Sequence, residues 1–340
     1  MRKKSYLLLM VSMIIVFQLT GCSTGAKEVS INGDSYGNET SQIRFGIDAG
    51  ISTLPFRVAE EQGYFNNSGL EPTIASFAYG IDTINALFTE QTDTGFAADY
   101  PILNSLGKGD LVILGTISKS TEQTNKDIAL FATGNIKSGK DLKGKKLGVA
   151  KGTVYEYIWS KYLEIIEIDE DEVTFVPFSS PDEAIIGVNS GDIDAVWAGG
   201  AINEKFKTIQ GVEQIDDLNG AGVSINLYLI GQRAFVEQNP TTVENALRAL
   251  NKGVEFVQNN KEDSAKIAFE QIKLPEEDVL RDLENMNYVV GFTKEDADHL
   301  EQMKKWLEER GTLTDQYDLK DKLNLEPLKK ALPETVSYQE

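Results

Sequence analysis

The sequence predicts an α/β protein of two lobes, each a mostly parallel sheet with flanking helices, joined by two crossover strands acting as a hinge. Three observations carry this. Residues 43–101 and 145–200 repeat one pattern: strand, glycine-containing turn, helix, strand, turn, helix, Asp-containing turn, strand. Two apolar runs, Ile128–Phe131 and Val223–Ile230, stand outside the repeat, where the chain must pass from lobe to lobe. Beyond a leader and a polar tether, about 300 residues remain, enough for two lobes.

The leader comes first. Arg2, Lys3 and Lys4 precede an apolar stretch from Tyr6 to Leu19. It is too short for a spanning helix, which needs about 20 residues, and suits a secretory signal core. Residues 1–21 are therefore read as a signal peptide. They end in Leu19-Thr20-Gly21 before Cys22, which resembles a bacterial lipobox. That resemblance implies that Cys22 is acylated and becomes the first residue; two or more acyl chains hold a protein stably on a membrane. Residues 22–41 are polar and rich in Gly, Ser and Asn, a flexible lipid-anchored tether. Cys22 is the only cysteine, which excludes a disulfide scaffold and any cysteine-based metal site in the folded part. The formal charge is −20, and loss of the three leader cations takes it to about −23. Such a surface argues against nucleic acid and against direct binding to anionic headgroups.

Within the repeat, Phe45-Gly46-Ile47 answers Leu147-Gly148-Val149, and Glu71 to Phe77 answers Val173 to Phe178. Gly95-Phe96-Ala97-Ala98 after Asp93 answers Asp194-Ala195-Val196-Trp197 after Asp192. Such βαβαβ units build parallel sheets whose ligands sit outside the carboxyl ends of the strands. Two facing lobes make a cleft. After Gly231 the chain turns helical. "PTTVENALRALNKGVEFVQ" is apolar at Val243, Leu247, Leu250, Val254 and Val257, and "TKEDADHLEQMKKWLEERG" stops at Gly311. These helices are expected on the first lobe, giving a first lobe of residues 42–132 and 227–335 and a second of 133–226.

The stretch "AKGTVYEY" asks whether a phosphate is bound, because a strand, a glycine turn and a helix start present backbone N–H groups to an anion. Gly148 and Gly152 are too close for a phosphate-binding NTPase loop, no Lys-Ser/Thr pair follows Gly152, and the dinucleotide G-x-G-x-x-G pattern is absent. Thr153 and Glu156 form a T-x-x-E capping box, so the turn is either a well-capped helix start or a ligand contact made by the amides that remain. Asp192, Asp194, Asp216 and Asp217 read as solvated turn residues.

Several stretches together carry a family resemblance: "LPFRVAEEQGYFNNSGLEP", "SFAYGIDTINAL", "TDTGFAADYP", "DIALFATGNIKSGKDLKGKKLGVAKGT", "GDIDAVWAGG" and "RAFVEQNPTTVENALRAL". Over residues 42–335 the chain resembles the aliphatic-sulfonate, nitrate, taurine and thiamine-precursor binding proteins of ABC importers, of the type II periplasmic-binding-protein fold. It departs from them in Asp48, where a neutral residue is common, and in "WAGGAINEKF", which lacks a Trp-Glu-Pro. The resemblance implies a lipid-anchored solute-binding component on the extracytoplasmic face of the bacterial cell membrane. Its partners would be a small-molecule ligand, the ABC transporter permease subunits and the membrane through acyl chains on Cys22. It would be a monomer without a cofactor or metal. The ligand site is placed among the strand-end loops: Asp48, Ser52, Thr53, Phe77, Tyr79, Asp99, Tyr100, Gly152, Thr153, Tyr155, Trp197 and Asn226. Ser52, Thr53 and Thr153 offer hydroxyls or serve only as caps. The aromatic residues line the cleft or are plain core, and Asp48 and Asp99 would hold an ammonium or an amino-heterocycle. The taurine and alkanesulfonate class is favoured, with an aminopyrimidine or related heterocycle as the alternative. A ligand sensor for a membrane kinase would look the same. An enzyme is disfavoured, because the only histidine, His299, is expected on a helix far from the strand ends and no nucleophile–base pair is visible.

Overall fold

A computed structural model describes residues 40–339 apart from Ala201 and Thr314. The expected signal peptide, Cys22 and nearly all of the tether lie outside the described residues. The first half of the chain gives β1 (Ser41–Asp48), α1 (Leu54–Glu61), α2 (Tyr64–Asn67), β2 (Leu70–Phe77), α3 (Gly80–Phe88), β3 (Thr94–Ala98), α4 (Asp99–Leu106) and β4 (Leu111–Ser118). Then come β5 (Ile128–Thr133), β6 (Lys146–Ala150), α5 (Val154–Ile165), β7 (Thr174–Phe178), α6 (Pro181–Ser190), β8 (Ala195–Gly199), α7 (Ile202–Lys207) and β9 (Val212–Asp217). The chain closes with β10 (Leu227–Gln232), α8 (Arg233–Gln238), α9 (Pro240–Asn259), α10 (Lys261–Ile272), α11 (Glu276–Leu283), β11 (Tyr288–Gly291), α12 (Lys294–Glu309) and α13 (Glu326–Ala331).

The strands form two sheets, in the orders β11-β4-β10-β3-β1-β2 and β7-β6-β8-β5-β9. In each, the repeat supplies a parallel trio, β2-β1-β3 and β7-β6-β8. An antiparallel strand then follows. β10 lies between β3 and β4 in the first sheet, and β5 between β8 and β9 in the second. The first apolar run outside the repeat is thus β5, and of the second only Leu227–Ile230 enters a strand, β10; both strands are laid down just after the chain changes sheet. The crossovers themselves are residues 119–127 and 218–226, so β5 belongs wholly to the second sheet.

Burial follows the sequence pattern. The five apolar positions expected on α9 are all buried, and the C-terminal helices share one core with the first sheet. α9 packs against α1 at Gly253, where a Cβ would stand 2.3 Å from the Pro55 carbonyl oxygen, so only glycine allows this approach. The second sheet is covered on one face by Trp159, Tyr162 and their neighbours and on the other by Phe131, Val188 and Phe206. Asp216 and Asp217, expected in a turn, lie instead in edge strand β9, where Asp216 Oδ2 accepts a 2.6 Å hydrogen bond from the Tyr162 hydroxyl.

Candidate functional site

A cavity of about 410 Å3 lies between the two sheets, at the carboxyl ends of their parallel strands. The first lobe contributes the turns after β1 (Asp48–Ser52) and β2 (Ala78–Ile81), and the second contributes Thr153–Tyr155, Phe178 and Trp197–Gly200. The crossovers add Ser120, Asn125, Asp127 and Ile225; the helical C-terminal part adds Leu274, Asp282 and Met286.

Six of the expected residues line this cavity: Asp48, Ser52, Tyr79, Thr153, Tyr155 and Trp197. Asp48 Oδ1 accepts the Gly50 N–H at 2.7 Å. Burial pushes its carboxyl above the ordinary range, against the Gly50 bond and the neighbouring Arg57 guanidinium. Tyr79 and Tyr155 reach in from opposite lobes. Burial, with Asp48 nearby, pushes the Tyr155 phenol up to about 12. The Trp197 indole packs edge-on against Trp159 and Tyr162, at 5.9 and 5.3 Å between centroids.

The other six sit differently. Thr53 is buried and its hydroxyl donates to the Asp48 and Gly50 carbonyls, so it braces the first turn. Phe77 ends β2, half-buried and off the cavity. Gly152 takes φ +74°, the left-handed value the turn needs, and its N–H donates to Glu156 Oε2 at 2.9 Å. The capping box is therefore displaced by one residue: Thr153 Oγ1 accepts from Tyr155 N, but Glu156 reaches the Gly152 amide and not that of Thr153. Glu156 N donates to the Thr153 carbonyl. Of the first-turn amides this leaves Val154's, at a residue lining the cavity. Tyr100 donates its hydroxyl to Glu156 across the lobes and stacks on Tyr157. Asn226 spends its Oδ1 on the Ser120 amide.

Asp99 departs furthest from expectation. It is fully buried and does not line this cavity. Its Oδ1 accepts from Tyr100 N at 2.8 Å; its Oδ2 accepts from Asn226 N at 3.0 Å and lies 2.6 Å from His299 Nε2. His299, expected far from the strand ends, is therefore brought to one. Burial lowers the imidazole pKa, but Asp99 and Asp296 outweigh it and the net shift is upward.

Sequence reasoning missed Asp127 and Asp282. Asp127 immediately precedes β5, already recognisable as a strand, and its place at a strand end was the available signal. Its carboxylate accepts from Asn285 Nδ2 at 3.2 and 3.4 Å. Asp282 lies in α11 among four other acids of the stretch 276–284 and carries no signal of its own. Both carboxyls are raised by burial, Asp282 to about 6 with Asp127 adding to the rise. The lining cation Lys119 is held by Asp296 at 2.7 Å.

The lobes also touch beside the cavity. Arg310 of the first lobe pairs with Glu164 and Glu170 of the second at 3.0 and 2.5 Å, and Trp306 packs on Tyr157. On the other side Arg281 reaches Glu204 at 3.6 Å.

The family model described as "NMT1/THI5 like" matches residues 51–264, more than half of the chain. The chain belongs to that family. A Bacillus subtilis (strain 168) protein whose name assigns it to aliphatic sulfonates is 26% identical over 83% of this chain and 84% of its own. The alkanesulfonate-binding protein SsuA from Xanthomonas axonopodis pv. citri, solved bound to MOPS, superposes with a TM-score of 0.73 at 17% identity, over 84% of this chain and 99% of that one. The desulfurization enzyme DSZB superposes at 0.65 with 16% identity, over 86% and 99%. The fold is that of periplasmic binding proteins, and the sequence relatives are binding proteins, consistent with a solute-binding role.

Proposed function

We propose that this chain is the extracytoplasmic, lipid-anchored solute-binding component of an ABC importer, closing two lobes on a small polar organic ligand and delivering it to a permease. The observation that carries this reading is the cavity itself: it is walled by a tyrosine from each lobe and a tryptophan from the second, and two crossovers connect those lobes. Among the residues lining it no histidine or cysteine stands beside a base, which supports binding over turnover although an enzyme shares the fold. The names of the relatives keep sulfonates in view. The Val154 amide would suit the anionic end of such a molecule, and the aromatic walls suit an amino-heterocycle equally. The Leu19-Thr20-Gly21-Cys22 stretch supports the anchor. Native mass spectrometry of the purified protein should find a retained small molecule that is returned unchanged. Steady consumption of that molecule would sink the binding-only reading, and Cys22→Ala fractionating like wild type would sink the anchor.

A further inference from the structure

Resting on that solute-binding reading, we propose that the cavity holds a subsite for a protonated nitrogen, formed by Asp282 with Asp127 beside it, so that the solute is an amine, amidine or amino-heterocycle carrying a positive charge. The first ground is an orphaned oxygen. Asp282 is 5% exposed and lines the cavity. Its Oδ1 takes only a long 3.3 Å contact from Arg281, while its Oδ2 has no partner among the described residues. That Oδ2 faces Gly200 of the opposite lobe: a Cβ placed on Gly200 would be 3.8 Å from it, and Gly200 lines the same cavity. A buried carboxylate oxygen is costly to leave unpaired, and a charged donor is its best partner.

The second ground is the balance of charge. Three carboxylates line the cavity, Asp48, Asp127 and Asp282, against one cation, Lys119, which Asp296 already neutralises. Arg57 backs Asp48 from behind, and Arg281 is shared among Asp282, Asp278 and Glu204, so neither frees a positive group for the cavity. A bare anion entering here meets uncompensated negative charge in a low-dielectric space, whereas a cation relieves it. Burial raises both carboxyls, and Asp127 adds to the rise at Asp282, which agrees with two acids awaiting a counter-charge.

The test uses three pairs that differ in the charged nitrogen: benzylamine against benzyl alcohol, benzamidine against benzamide, and taurine against isethionate. Thermal shift and calorimetric titration of the full chain should show the nitrogen-bearing member binding at least tenfold more tightly in at least one pair. Asp282→Asn should erase that preference while melting, without ligand, at or above wild type, which separates lost recognition from lost folding. Asp278→Asn, on the same helix but off the cavity, should keep the preference. Equal binding within the pairs, stabilisation by none of the six, or a preference that survives Asp282→Asn overturns the subsite. The solute-binding reading then stands or falls separately, on whether a small molecule is retained through purification.

Discussion

Asp99 and His299 show most sharply what one residue's surroundings decide. An aspartate at a strand end and a histidine on a polar-looking helix 200 residues away have no visible relation in the sequence. Folding brings them to 2.6 Å, with the aspartate fully buried. Asp99 also holds the Asn226 amide, so the pair fastens the end of the second crossover to α4 and α12. His299→Ala leaves a buried carboxylate short of its charged partner and should cost about 3 kcal/mol near pH 6. Because the folded imidazole is shifted upward, its contribution is complete below the unfolded pKa of about 6.5 and disappears as pH rises through the higher folded value. Urea melts at pH 6 and pH 9 should therefore show the gap between wild type and variant narrowing; a gap that widened would refute the assignment. The sequence read Asp48 as a cleft acid because it directly follows a strand. It misread Asp99 by the same rule, since the rule does not say which strand-end acids another helix will cover. Asp282 was invisible for the opposite reason: in α11 it is one acid among several, and only its place opposite Gly200, within the field of Asp127, distinguishes it.

Elements were legible in proportion to their periodicity. The strand–turn–helix repeat and the apolar face of α9 are set by local pattern, and both appear as read. β9, "VEQIDD", is an edge strand with one buried residue, and β11 is four residues long; neither has a pattern to see. The turn before α5 tests how an element's start becomes a contact. Thr153, its N-cap, has φ −98° and ψ 171°, the extended conformation a following proline demands. Val154→Pro therefore fits the first helical position and removes one amide. It should weaken the retained solute by about 1 to 3 kcal/mol, the cost of an unpaired buried acceptor, and leave the ligand-free melt nearly unchanged. Unaltered affinity in calorimetry would make the turn a capped helix start and nothing more.

At the scale of the whole molecule, two lobes could be foreseen because each copy of the repeat supplies the parallel trio of one sheet. Which sheet would receive each strand beyond the repeat could not, since an apolar run pairs equally well with either until the crossovers are placed. The two sheets are unequal in one respect. All five strands of the second come from residues 128–217, whereas the first has β10, from residues 227–232, lodged between β3 and β4. For a polypeptide released amino end first, the lobe started earlier is the one finished later. Its opening strands wait with an unpaired neighbour position while an intervening lobe takes shape, a delay in which holding by chaperones would count most. A chain stopped after Asn226 should accordingly resist brief protease treatment over 128–217 and be cut within 41–118. Equal protection of both would mean that the first lobe assembles without its central antiparallel strand. Birth order along the polymer and order of maturation in space are, in this architecture, reversed.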